Sequence, residues 1–64
     1  MKSNLSTLMN DQKITIRELV KKTGVSSATI QKARDERIEH CRMGSLKKIA
    51  DALGVKVQEL FEED

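Results

Sequence analysis

The sequence predicts an all-α protein, a compact bundle of five short helices. Three observations point there. Leu, Ile, Val, Ala and Met supply nearly all of the hydrophobic 38%, with one Phe and neither Trp nor Tyr. Proline is absent, strong helix formers dominate, and β-branched residues form no long alternating run. Apolar residues recur instead at spacings of three and four, which lines one face of a helix.

The elements follow in order. A first helix over about 4–11 has Ser3 or Asn4 as its N-cap and puts Leu5, Leu8 and Met9 on one face. Residues 12–14 link it to the next, with Ile14 as an apolar plug. The second helix starts at Thr15, because Thr15-Ile16-Arg17-Glu18 has the form of a capping box. Glu18 also stands four residues before Lys22, the favourable order for a helical ion pair. Ile16, Leu19, Val20 and Thr23 make the inward stripe, and Gly24 ends the helix where positive φ is cheapest.

Val25 then reads as a buried plug and Ser26 as the cap of a third helix over about 27–35. Ile30 and Ala33 face inward, leaving Ser27, Ala28, Gln31, Lys32 and Arg34 outward. Residues 36–43 read as a loop anchored by Ile38, Cys41 and Met43. A fourth helix over about 45–53 repeats the pattern with Leu46, Ile49, Ala50 and Leu53, and Gly54 stops it. A last short helix over about 57–62 buries Leu60 and Phe61.

Sixty-four residues make one domain, 1–64, with no room for a catalytic domain beside it. A chain of this size buries only about 60% of its unfolded surface, so the core must be compact. The single cysteine excludes an internal disulfide and fits a reducing cytoplasm, the expected location. No stretch nears the ~20 apolar residues of a membrane span, and no signal sequence follows Met1-Lys2. Met1 and the charged tail are compatible with a complete small protein.

Net charge is only +2, but it is unevenly spread. Residues 1–48 hold eleven Lys/Arg against five Asp/Glu, and residues 49–64 hold one against five. The basic part coincides with the second and third helices, an electrostatic footprint of nucleic-acid binding. By charge alone a solvated surface with an acidic tail is the favoured reading.

Residues 15–35 thus combine a capped helix, a glycine turn and a second capped helix, the helix-turn-helix pattern that presents its second helix to a DNA groove. "ITIRELVKKTGVSSATIQKARDE" followed by "SLKKIADALGVKVQELF" resembles the Cro/CI-type (XRE) family of phage repressors, Cro proteins and related bacterial regulators. The resemblance spans about 4–62 and implies a five-helix, lambda-repressor-like DNA-binding domain, often a dimer on a two-fold operator. Several positions depart from the family's pattern. Its second helix usually begins Ser-Gln, whose glutamine assists DNA contact; Thr15 keeps the cap and Ile16 removes the amide. A usual small alanine at the helix crossing is Val20, and a usual large residue late in the third helix is Ala33, a volume exchange that packing tolerates. The glycine often found after the third helix is Glu36.

By position, the resemblance gives base-edge contacts to Ser27, Ala28 and Lys32. Lys32 can donate to guanine, Ser27 can donate or accept, and the Ala28 methyl can meet a thymine methyl. Gln31 faces bases or water, and Thr29 bonds a phosphate or its own helix. Thr15, Arg37, His40 and Arg42 flank the third helix as phosphate contacts, against the plainer reading that each is merely solvated. Gly24 and Val25 make the turn. Arg34 is free to pair with Asp11 or another acid.

Metal and catalytic chemistry find little support. One His40 and one Cys41 do not make the four ligands of a structural zinc site, so Cys41 is expected in the core and no cofactor or metal is implied. Nucleophile–base pairs and phosphate-cradling glycine loops are missing from the sequence, so no enzyme is expected. The methionines read as core filler. The expected function is a sequence-specific, double-stranded-DNA-binding transcriptional regulator, a repressor of prophage or mobile-element type. A weak homodimer assembled on DNA and no membrane partner complete the expectation. The rival is a small antitoxin-like module that docks another protein through the same fold.

Overall fold

The computed structural model describes residues 1–63. Within them lie β1 (Lys2–Ser3), α1 (Leu5–Gln12), α2 (Ile16–Thr23), α3 (Ser27–Ala33), α4 (Met43–Leu53) and β2 (Phe61–Glu62). One 3-10 helix, Glu36–His40, separates α3 from α4, and another, Val57–Leu60, precedes β2. The core is a single cluster in which Leu5, Leu19, Ile30, Ala33, Ile49 and Leu60 are fully buried. The expected stripes of α3 and α4 are buried whole, Ile30 and Ala33 from α3 and Leu46, Ile49, Ala50 and Leu53 from α4. By contrast, α1 buries Leu5 and Met9 with Leu8 half-buried, and α2 buries Leu19 with Ile16, Val20 and Thr23 half-buried.

The starts and stops are set locally. The capping box of α2 forms as expected: Thr15 Oγ1 accepts from the Glu18 amide at 3.1 Å, and Glu18 Oε1 accepts from the Thr15 amide at 3.3 Å. Gly24, at φ +74°, closes α2 by donating to the Val20 carbonyl at 2.8 Å. Val25 is 7% exposed beneath that turn, and Ser26 caps α3 by accepting from the Thr29 amide at 3.3 Å. At the start of α1, Asn4 holds the cap position without a side-chain bond, while the Ser3 hydroxyl takes the Leu5 amide at 3.2 Å and donates to the Ala33 carbonyl.

Several expectations need correction. The bundle has four α-helices, not five: residues 57–60 form a 3-10 helix and Phe61–Glu62 a strand. The reason is that Asn4 donates its amide to the Leu60 carbonyl at 2.8 Å, and β1 pairs antiparallel with β2, setting Lys2 opposite Glu62 and Ser3 opposite Phe61. A helix of one or two turns gains few backbone bonds for its nucleation, so pairing of the two ends wins. The fold is therefore predominantly helical with a two-residue β-ladder.

The third helix stops at Ala33 rather than at 35, because Asp35 turns extended and caps the following 3-10 helix, accepting from the Arg37 amide at 2.8 Å. That cap also explains how Glu36 stands where the resemblance expects glycine: no residue of this turn adopts positive φ. The fourth helix begins two residues early, at Met43, which lies 54% exposed instead of anchoring the loop. Cys41 is half-buried rather than fully enclosed, and Arg34, expected outward, is half-buried with Nη2 donating to Ser6 Oγ at 3.0 Å.

Candidate nucleic-acid interface

The geometry starts with α3. Its seven residues put Ile30 and Ala33 into the core, so the opposite face is fixed in solvent. Ser27, Ala28, Gln31 and Lys32 are all exposed and, at i, i+1, i+4 and i+5, form one continuous stripe. These are the four residues expected at base edges. They offer a hydroxyl, a methyl, an amide and an ammonium, which together can match the donor, acceptor and methyl pattern of a major groove.

Beyond the far end of that stripe, Thr29, Lys32, His40, Cys41, Arg42 and Ser45 line a small polar groove of about 170 Å³. It gathers three of the five expected phosphate contacts, Thr29, His40 and Arg42, around a base-contact candidate, Lys32. Sequence reasoning missed Ser45. With Met43 and Gly44 it forms the first turn of α4, whose N-cap Arg42 gives no side-chain cap bond. A Cβ added at Gly44 would meet nothing within 4 Å, so that backbone is open to close approach. Exposed amides at a helix start favour an anion. The signal in the sequence was Gly44-Ser45 just after Arg42-Met43.

The remaining expected contacts are placed differently. Arg37 is exposed but ion-paired with Asp35, Nη2 to Oδ2 at 2.8 Å. Thr15 caps α2 and is not among the residues lining the polar groove, and its hydroxyl also donates to Glu18 Oε1 at 3.2 Å. Thr29 Oγ1 stands 3.0 Å from Ser26 Oγ, so part of its bonding capacity serves the α3 cap. His40 Nε2 approaches Glu39 Oε1 at 3.7 Å.

Cys41 belongs to the packing here. Its thiol points to the Thr29 and Arg37 carbonyls, each at 3.9 Å. Burial pushes the thiol up from its ordinary pKa, against the smaller opposing pull of Lys32, so it is protonated at neutral pH. Among the described residues no cluster of three or more His, Cys, Asp or Glu could hold a metal, and no helix is long and apolar enough to cross a membrane.

A capped helix, a glycine turn and a second helix with a polar outward face beside basic residues define a helix-turn-helix DNA-binding domain. The chain belongs to the family of the Cro/C1-type helix-turn-helix DNA-binding domain, whose model matches residues 4–63. No curated protein and no solved structure matched the chain.

Proposed function

We propose that this protein is a sequence-specific transcriptional regulator, a repressor of the kind carried by prophages and mobile elements, acting in the cytoplasm on double-stranded DNA. The observation that supports it best is the single stripe of Ser27, Ala28, Gln31 and Lys32 on the solvent face of α3, adjoining a groove that holds Arg42 and His40. In this reading the stripe reads bases while Arg42, His40, Thr29, Thr15 and Arg37 hold phosphates. Phosphate contacts give affinity and position, and base contacts give preference.

Two copies fit the reading better than one. The longest dimension of the chain is 30 Å, shorter than the ~34 Å helical turn that separates paired half-sites. One copy thus serves one half-site, and a weak homodimer assembles on a two-fold operator.

Selection of bound duplexes from a random pool tests this directly. An enriched palindromic sequence with a steep salt dependence is the expected outcome. No enrichment, together with no binding to random duplex at low salt, would instead favour an antitoxin-like module that docks a protein.

A further inference from the structure

Two helix starts meet beside the base-reading stripe. Ile16 is the first residue of α2 and Ser27 the first of α3, and between them runs a shallow open groove of about 490 Å³. Its lining is Ile16, Arg17, Val20, Lys21 and Ser27. Ile16 and Val20, one helical turn apart, pack against the core yet remain only half-buried. The groove therefore has two branched aliphatic walls, two cations and one hydroxyl.

We infer that Ile16 is a specificity-determining residue which, with Val20, seats the C5-methyl edge of a thymine adjoining the base that Ser27 contacts. This rests on the DNA-binding reading above. The two cations, Arg17 and Lys21, suit a groove that lies against a polyanion. The aliphatic walls reject polar edges, because a donor or acceptor pressed there loses water and gains no partner. Of the groups a base pair shows in the major groove, the thymine methyl is the apolar one. The groove is wider than one methyl, so the methyl enters together with the edge of its deoxyribose. Ala28, the other residue suited to a thymine methyl, is not part of this lining, so its contact falls on a different base.

The test begins from a duplex selected out of a random pool. Each thymine is replaced singly by uracil, which lacks only the C5-methyl. Apart from any thymine read by Ala28, the unmodified protein is expected to bind about fourfold more weakly at one such position per half-site, the equivalent of the ~0.8 kcal/mol gained by burying one methylene-sized group. At that position Ile16→Ala should bind thymine and uracil duplexes alike, Ile16→Val should retain part of the discrimination, and Ala28→Gly should retain all of it. Because the uracil series uses the unmodified chain, instability of a variant does not enter it. A selected operator indifferent to every exchange overturns the inference and leaves DNA binding intact. So does a half-site in which every sensitive thymine keeps its full discrimination in Ile16→Ala. A pool that yields no operator refutes the DNA-binding reading and this inference with it.

Discussion

The Arg37 guanidinium holds the Asp35 carboxylate two residues before it, with Nη2 at 2.8 Å from Oδ2 and Nε at 3.1 Å from both oxygens. Both side chains are about half exposed, at 55% and 45%, so the pair adds little stability. Its effect is on charge: a cation at the edge of the interface is neutralised by its neighbour.

Releasing that cation should strengthen DNA binding. Asp35→Asn keeps an oxygen for the Arg37 amide, so the 3-10 helix retains its cap, and it leaves Arg37 unpaired. The expected outcome is tighter binding to random duplex and a salt slope steeper by about one phosphate contact. Arg37→Ala in the unmodified background should change that slope much less than Arg42→Ala does. An unchanged slope in Asp35→Asn would place Arg37 off the phosphates.

The same pair predicts acid behaviour. The Arg37 hydrogen bond holds the Asp35 carboxyl below its ordinary range. A carboxyl with a lowered folded pKa contributes stability that is fully present above its unfolded value, about 3.9, and is lost as pH falls through the folded value. Thermal melts should therefore be insensitive to this group at neutral pH and decline below about pH 4, with a shallower decline in Asp35→Asn.

Lys32 and Arg42 line one groove but are expected to act differently. Lys32→Ala should lower specific affinity by roughly 1–3 kcal/mol and relax the preference at one or two base pairs. Arg42→Ala should weaken specific and random duplex about equally and reduce the salt slope by about one. Competition titrations against single-base operator variants separate the two. A Lys32→Ala protein with unaltered base preference would remove Lys32 from the base-reading stripe.

What was legible in the sequence follows from how local each feature is. The Thr15–Glu18 capping box, the Gly24 stop and the Ser26 cap involve residues no more than four apart, and all three form. The core stripes of α3 and α4 were equally legible, because helical periodicity fixes them before any tertiary contact exists, whereas of the α2 stripe Leu19 alone is buried. The chain ends were not. Their structure depends on β1 meeting β2, Lys2 opposite Glu62, a pairing across nearly the whole chain that no local pattern announces. Arg34 was missed for a similar reason: its partner is Ser6 on α1, and its buried Nε has no hydrogen-bond partner. Met43 was misread as an anchor because α4 starts earlier than its Gly44-Ser45 pair suggested.

Another long-range bond has a measurable consequence for stability. Gln12 at the end of α1 donates Nε2 to the Leu53 carbonyl at 2.7 Å, satisfying one of the open carbonyls at the end of α4. Gln12→Ala should cost about 0.5–1.5 kcal/mol. Its neighbour should show the opposite sign. Lys13 adopts φ +55°, a left-handed conformation that glycine enters without a side-chain penalty. Its side chain is exposed, so Lys13→Gly removes strain without opening the core and should stabilise the protein by roughly 0.5–1 kcal/mol. Chemical denaturation of both variants checks the pair of signs; equal and opposite shifts are not required, only these directions.

The last prediction concerns how two copies meet. Val55, Val57 and Phe61 are half-buried and line an open groove of about 580 Å³ that also includes Met43. Among the described residues Met43 is the exposed large hydrophobic, and it follows Arg42 directly, so a contact there would couple pairing to the side of the molecule proposed to hold phosphates. Lys47, Lys56 and Asp51 share the same groove, giving both signs of charge for self-association across a two-fold axis. Against this, Glu59, Glu62 and Glu63 are exposed close by in the chain and repel their own copies. A small apolar centre within such a rim supports weak pairing, so the free protein should be largely monomeric at micromolar concentration and bind a two-fold operator cooperatively. Met43→Gln removes the apolar anchor at an exposed position without adding charge. It should leave the melting temperature and single half-site affinity nearly unchanged while lowering cooperativity on the full operator. Sedimentation of the free protein and titration of half and full operators read both effects. A tight dimer in the absence of DNA, or one chain per full operator at saturation, would overturn the pairing.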